Sequence, residues 1–188
     1  MLVNSIENYL KNFAKKVVKD SKDILAKSKD SMGNARGDTA LGDSIRFEVE
    51  LTSTGFSTKF YMNDYGTYLD EGVSGTKEKQ SYTDYKGKTR KSSYSYTTKG
   101  PPIDILSKWI KRKGIQPKGL GRGRSKNTGQ FVSGFAYLIS KKIKRDGIKS
   151  LSFFQKPAGI EYEKLQKDML KLIKADIQNY LTTFYRPK

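Results

Sequence analysis

At the start of the chain, Ile6, Leu10, Phe13, Val17 and Ile24 step by four, three, four and seven residues, so they share one helical face. Lysines fill the other face, and a helix over 4–28 is predicted, with Asn4 and Glu7 spaced as a capping pair. Gly33, Gly37 and Gly42 break the pattern, and 29–44 reads as a loop. The period then changes to two. Ile45, Phe47, Val49 and Leu51 alternate with Arg46, Glu48 and Glu50, the signature of a half-buried strand over 45–51. Thr54-Gly55 marks a turn, and a second strand over 56–62 puts Phe56, Thr58 and Phe60 on one face. The pair predicts an antiparallel hairpin. Tyr65–Leu69 either ends this sheet or starts a short helix.

Beyond Gly72 the aliphatic signal fades. Residues 72–100 hold Ser, Thr, Gly, Lys and spaced tyrosines, with Val73 the exception. They read as a protruding hairpin or a mobile loop. Pro101-Pro102 opens a short helix whose apolar face is Ile103, Leu106, Trp109 and Ile110. Lys111, Arg112 and Lys113 suit its C-terminal dipole, and Gly114 ends it. A glycine-rich loop is expected over 115–130. A helix is expected over 131–146 with Phe135, Leu138, Ile139 and Ile143 inward, stopped by Gly147. A short strand fits 149–158. A last helix spans 161–181 with Leu165, Met169, Leu172, Ile173, Ile177 and Tyr180 along one side.

The order predicts an α+β fold. A small antiparallel sheet (hairpin 45–62 plus a short strand near 149–154) packs with N-terminal, middle and C-terminal amphipathic helices. The 188 residues suit one domain over 1–188, carrying a long basic insertion at about 72–134.

Composition narrows the function classes. Cysteine and histidine are both absent. Disulfides, thiolate metal sites and thiol catalysis are excluded, and the commonest general base and metal ligand are missing. Carboxylates cluster only at Asp64, Asp70 and Glu71. A nuclease would use such groups to hold magnesium, but adjacent Asp70 and Glu71 would point apart on a strand, and turn or ion-pair roles account for them. The Gly119–Gly123 cluster lacks the spacing of a phosphate-binding loop. No catalytic, metal or cofactor site is therefore assigned, and no cofactor is expected. No apolar run approaches the ~20 residues of a membrane span. Lys11, Lys15 and Lys16 interrupt any signal-like stretch. A protein made and used in a cytoplasm, without a membrane partner, is expected.

The net charge is +18, which implies an anionic partner or surroundings. Between Glu71 and Gln130, fifteen Lys and Arg face four acids, so this stretch carries +11 of the total. Lys86, Lys88, Arg90 and Lys91 in one segment, and Arg122, Arg124 and Lys126 in another, are the candidate DNA- or partner-facing cations. Tyrosines among them can stack on bases or sugars. Lysines also keep long loops soluble, and an acidic protein surface would serve as well as DNA. No sequence-reading motif accompanies these cations, so any DNA contact would be non-specific.

Three segments, in order, resemble the small head–tail joining proteins of tailed bacteriophages, the neck or tail-completion proteins. Thr39-Ala40-Leu41-Gly42-Asp43-Ser44-Ile45-Arg46 is similar to that family's lead-in to its first strand. Tyr65-Gly66-Thr67-Tyr68-Leu69-Asp70-Glu71-Gly72 resembles its Tyr-Ala-x-Tyr-Val-Glu-x-Gly-Thr run. Ala136–Lys149 followed by Phe153-Phe154-Gln155-Lys156-Pro157-Ala158 resembles its helix, its Gly-Ile-x-x-x-Pro-Phe stretch and the helix after it. Here Ser152-Phe153-Phe154 stands where the family has Pro-Phe. The resemblance spans roughly 1–181, with 73–134 as an enlarged insertion. It implies a non-enzymatic structural part of the virion neck, assembled in the host cytoplasm. The part would be a homo-oligomeric ring that joins portal, adaptor or tail proteins and surrounds the DNA channel. The candidate subunit-contact residues are Tyr65, Tyr68, Glu71, Phe153 and Phe154, together with Tyr82, Tyr85, Tyr94 and Tyr96 of the long polar segment 72–100, which would reach a neighbouring subunit as an extended arm. The runner-up from charge alone is a basic, non-sequence-specific nucleic-acid-binding accessory protein.

Overall fold

The computed structural model describes residues 2–29, 39–53, 55–112, 114–115, 122–124 and 131–184. It is an α+β structure. Among the described residues the elements run α1 (Leu2–Lys27), α2 (Ala40–Ser44), β1 (Arg46–Thr52), β2 (Gly55–Tyr61), α3 (Tyr65–Glu71), β3 (Val73–Ser74), β4 (Ser81–Thr83), β5 (Thr89–Lys91), α4 (Ile103–Arg112), β6 (Arg122–Arg124), β7 (Phe131–Ser133), α5 (Gly134–Asp146), β8 (Gly147–Ile148) and α6 (Gln155–Phe184). The strands pair as β1-β2, β3-β8, β4-β5 and β6-β7. The expected hairpin and C-terminal strand therefore do not share one sheet. The chain divides into two compact units: residues 1–66, 83–89 and 152–188 form one, and residues 67–82 and 90–151 form the other.

In the first unit, α1 begins two residues before its predicted start, so Asn4 and Glu7 lie inside the helix. Glu7 instead pairs with Lys11 one turn on, at 2.6 Å. The buried line runs through Ile6, Leu10, Ala14, Val17, Ser21 and Leu25, while Phe13 and Ile24 lie at its margin, half-buried. Small Ala14 and Ser21 carry no strong apolar signal, which is why the sequence pattern passes over them. The Ser21 hydroxyl is satisfied by Val17 O at 2.7 Å. The expected loop over 29–44 is corrected at its end by α2. Thr39 caps this helix, its Oγ1 accepting the Gly42 N–H at 3.0 Å.

The expected hairpin forms, but Gly55, expected in the turn, already pairs with Thr52 in β2, and Phe47 lies opposite Phe60, Val49 opposite Thr58 and Leu51 opposite Phe56. Its polar face is tied by Lys59 to Glu50 at 2.7 Å, by Tyr61 to Glu48 at 3.0 Å, and by Arg46 over the Tyr61 ring. On the apolar face, Phe60 meets the edges of Phe13 and Phe154, with centroids 6.3 and 5.2 Å away. Leu51, at the far end, is exposed.

α6 is six residues longer at its start than predicted, and the strand expected over 149–158 is absent from that range. The strand partner of Val73–Ser74 is Gly147–Ile148, just before it. Pro157 sits in the first turn of α6, where its missing N–H has no intrahelical acceptor to lose. α1 and α6 run antiparallel. The Tyr9 hydroxyl donates to Asp168 at 2.8 Å, and Lys16 pairs with buried Glu161 at 2.9 Å. Lys164 reaches the same Glu161 oxygen at 2.8 Å. Burial alone would raise the Glu161 carboxyl, but the hydrogen bonds from Lys164 and Lys16 outweigh it and hold the group below its usual range. A carboxyl depressed in the folded state stabilises above its unfolded pKa and loses that contribution as pH falls through the folded value. Glu161→Gln is therefore expected to cost about 1 kcal/mol near neutrality. The difference from wild type should shrink below pH 4.5, as urea midpoints against pH would register.

In the second unit, α4 opens after Pro101-Pro102, and Leu106 N–H bonds Pro102 O at 3.2 Å. Gly114, at φ +66°, closes it with an N–H to Lys111 O. The helix expected from 131 starts at Gly134, because Phe131–Ser133 pairs with Arg122–Arg124 as β7 and β6. Its inward face is also rotated. Ala136 and Ser140 are buried, whereas Leu138 is 49% exposed. Ser140 is held by its hydroxyl to Pro101 O at 2.7 Å, so a polar residue anchors α5.

Candidate assembly and anion-facing surfaces

Two of the segments singled out by resemblance meet in the second unit. Residues 69–77 and 144–151 lie backbone to backbone. Leu151 N–H bonds Leu69 O at 3.0 Å, and the Ser150 hydroxyl bonds Asp70 O at 2.5 Å. Two carbonyls at the end of α3 are thereby satisfied. Thr76 and Lys77 N–H groups bond Lys144 and Arg145 carbonyls, each at 2.9 Å, capping the end of α5. Ser74 is held on both sides, by Gly147 in the β3–β8 pair and by Tyr94 and Tyr96 through two 2.8 Å bonds.

This junction requires glycine. Gly147 has φ +78°, and a Cβ there would lie 2.1 Å from Val73 O. Gly72 has φ +76°, with Ile148 O and Ser150 N both 2.7 Å from such a Cβ. At Gly75 the obstacle would be Arg145 O at 2.2 Å. Asp70, 4% exposed, sits at this junction, and one Glu71 carboxylate oxygen beside it is buried without a hydrogen-bond partner. Among the described residues, no three acids come together to hold a metal ion.

The tyrosines fall into two groups. Tyr65 and Tyr68, three apart on α3, are 49% and 45% exposed. Tyr68 also meets Tyr94 edge-on at 4.4 Å, and the Tyr94 hydroxyl reaches Thr67 at 3.3 Å. Tyr82, Tyr94 and Tyr96 are half-buried, and burial pushes the Tyr96 hydroxyl up. They pack within the chain more than they face outward. Phe153 corrects the expectation outright. It is fully buried, so it belongs to the core and offers nothing to a neighbouring subunit. Phe154 is half-buried against Phe60.

Of the two readings of residues 72–100, a protruding hairpin or a mobile loop, the structure has a hairpin, and it is docked at its tip. Their first residues form the glycine junction. Residues 81–91 make the β4–β5 hairpin, turned at Asp84–Lys88. Asp84 Oδ1 accepts from the Lys86 and Lys88 N–H groups at 2.9 Å each, and Gly87 supplies φ +74°. Within the first unit the tip is docked. Tyr85 N–H bonds Gln155 Oε1 at 2.9 Å, and the Tyr85 ring meets Tyr162 at 5.6 Å and 90°. Gly159 allows this approach, since a Cβ there would be 3.0 Å from Tyr85 O.

Lys86, Lys88, Arg90 and Lys91 are all exposed on this hairpin, with Lys86 over the Tyr85 ring at 5.5 Å. The period of two puts Lys88 and Arg90 on one face and Lys91 on the other. Arg122 and Arg124 fall on β6, and Lys126 lies outside the described residues. No described helix is long and apolar enough to cross a membrane. No protein-family model matches the chain, and neither a curated protein nor a solved structure matches it.

Proposed function

We propose that this protein is a structural, non-catalytic part of the neck of a tailed-phage virion. It would be a homo-oligomeric ring component that joins portal or adaptor to tail around the DNA channel. The glycine junction carries the reading. The second and third resembling segments, some seventy residues apart in sequence, supply its two sides, and a glycine of each, Gly72 and Gly147, sits where the backbones touch, although Gly72 follows the acidic Glu71 directly and is followed by Val73 where the family has Thr. The exposed Tyr65–Tyr68 face of α3 leaves that junction and is the candidate subunit contact. Heterologous contacts of this kind close rings. Imaging the neck of purified particles with antibody against this chain tests the proposal, and label at the portal–tail junction is the expected result. Absence from particles, or magnesium-dependent DNA cleavage by the pure protein, would overturn it.

The exposed hairpin cations favour a sequence-blind contact with DNA as part of this role, since a passing genome offers every sequence. The same cations would serve the second reading, an accessory DNA-binding protein that never enters the particle. Reversing Lys86, Lys88, Arg90 and Lys91 to Glu should lower the log–log salt slope of duplex-DNA binding by up to ~0.9 for each phosphate no longer neutralised. A slope unchanged in a fluorescence titration would remove the hairpin from DNA contact and leave an acidic protein as its partner. Particles containing the chain separate the neck reading from the accessory one whatever the slope.

A further inference from the structure

α6 has two faces of opposite fate. Glu161, Leu165, Asp168 and Leu172 lie on the side that carries the contacts to α1, and all are buried or half-buried. Round the helix from that side runs the line Ile160, Glu163, Lys167, Leu170, Lys174, Ile177 and Leu181, with Ile160 at its edge, beside Asp20, Asp23, Ile24 and Lys27 of α1, and with Ile177 turned away from Leu165 and Leu172, with which it was expected to share a face. Every one of these seven side chains is exposed, with Leu170 at 72%, Ile177 and Leu181 at 55% and Ile160 at 49%. Their spacing alternates three and four over the whole length, the spacing of a two-helix coiled-coil seam. Four of the seven positions are apolar and three are charged.

The order of residues along the seam identifies its occupant. Laid antiparallel on a copy of itself, the line is self-complementary. Ile160 meets Ile177 of the other copy, Glu163 meets Lys174, and Leu170 meets the aliphatic stem of Lys167. Symmetry repeats each contact, so two ion pairs flank a central Leu–Lys cluster. The C-terminal turn of each helix also comes beside Lys156 of the other copy, where a cation suits the helix dipole. A parallel arrangement would stack Glu163 on Glu163 and Lys174 on Lys174.

We infer that the α6 seam is a self-association surface, and that the free protein forms a two-fold dimer through antiparallel α6 helices. This contact is isologous, so it is distinct from the head-to-tail contacts that close a ring. It goes beyond the neck reading and does not depend on it.

Sedimentation velocity of the purified full-length protein over a concentration series tests the inference, with circular dichroism confirming that each variant is folded. The wild type is expected to pass from monomer to dimer as concentration rises. Glu163→Lys and Lys174→Glu should each weaken the dimer by about tenfold or more, because each places like charges together twice. The double variant Glu163→Lys/Lys174→Glu should restore it. The two positions are three turns apart within one chain, so rescue reports contact between copies. A wild type that stays monomeric throughout would overturn the inference, as would self-association indifferent to both single changes or a double variant no better than the singles. None of these outcomes bears on whether the chain is found in the virion neck.

Discussion

Gly147→Ala should unfold or severely loosen the second unit. The left-handed conformation costs a non-glycine residue about 1–2 kcal/mol. The added Cβ would also lie 2.1 Å from Val73 O and 2.7 Å from Gly75 N, both backbone atoms. No rotamer change relieves that clash, so β3 and β8 must separate. Their ladder bonds, each worth about 1 kcal/mol, weaken as they part. An expected destabilisation of about 3–5 kcal/mol follows, enough to remove most of the stability of an ordinary domain. Gly87→Ala is the control. Its φ is +74°, but nothing lies within 4 Å of its Cβ, so it should cost only the conformational part, about 1–2 kcal/mol. Urea denaturation followed by circular dichroism gives both values. Equal effects at the two sites would mean that the junction is not closed as described.

Phe153→Ala should cost about 3–5 kcal/mol, the usual effect of deleting a fully buried aromatic ring. Phe153 has no exposed surface and is the largest fully buried side chain among the described residues. The destabilisation should therefore appear in the isolated chain at any protein concentration. Tyr65→Ala, on the exposed face of α3, should leave unfolding of the isolated chain within about 0.5 kcal/mol of wild type, while impairing incorporation into particles if that face is the subunit contact. A Phe153→Ala protein as stable as wild type would return this residue to the candidate subunit contacts.

Much of the local architecture follows from periodicity. α1, the β1–β2 hairpin, and α4 with its Pro entry and Gly exit are all legible in the spacing of apolar residues and turn formers. These elements depend on contacts within a few residues or on one clear face. The departures have a common cause. Ala136, Ser140 and Ser21 are buried because neighbouring chain lies close to them, and small side chains announce that closeness weakly. Phe131–Ser133 looks like the first turn of a helix until a partner strand at 122–124 claims it. The stretch 149–158 looks like a strand, yet its residues close the α3 junction, enter the core and begin α6.

The candidate surfaces divide in the same way. Composition alone shows the excess of charge between 71 and 130, and the tyrosines among the cations are visible in the chain. Burial alone tells Phe153 from Tyr65 and Tyr68, because exposure depends on what folds against a residue rather than on its type. The glycines of the junction are ordinary turn formers in sequence. Only the approach of residues 144–151 to 69–77 makes Gly72, Gly75 and Gly147 indispensable. In α6 the apolar residues are spread over more than one side, so periodicity groups Ile173 and Ile177 with Leu165 and Leu172, although both isoleucines are exposed. Packing against α1 takes one side and leaves another exposed, a choice made by tertiary contact because periodicity alone cannot say which face of a helix the core will claim.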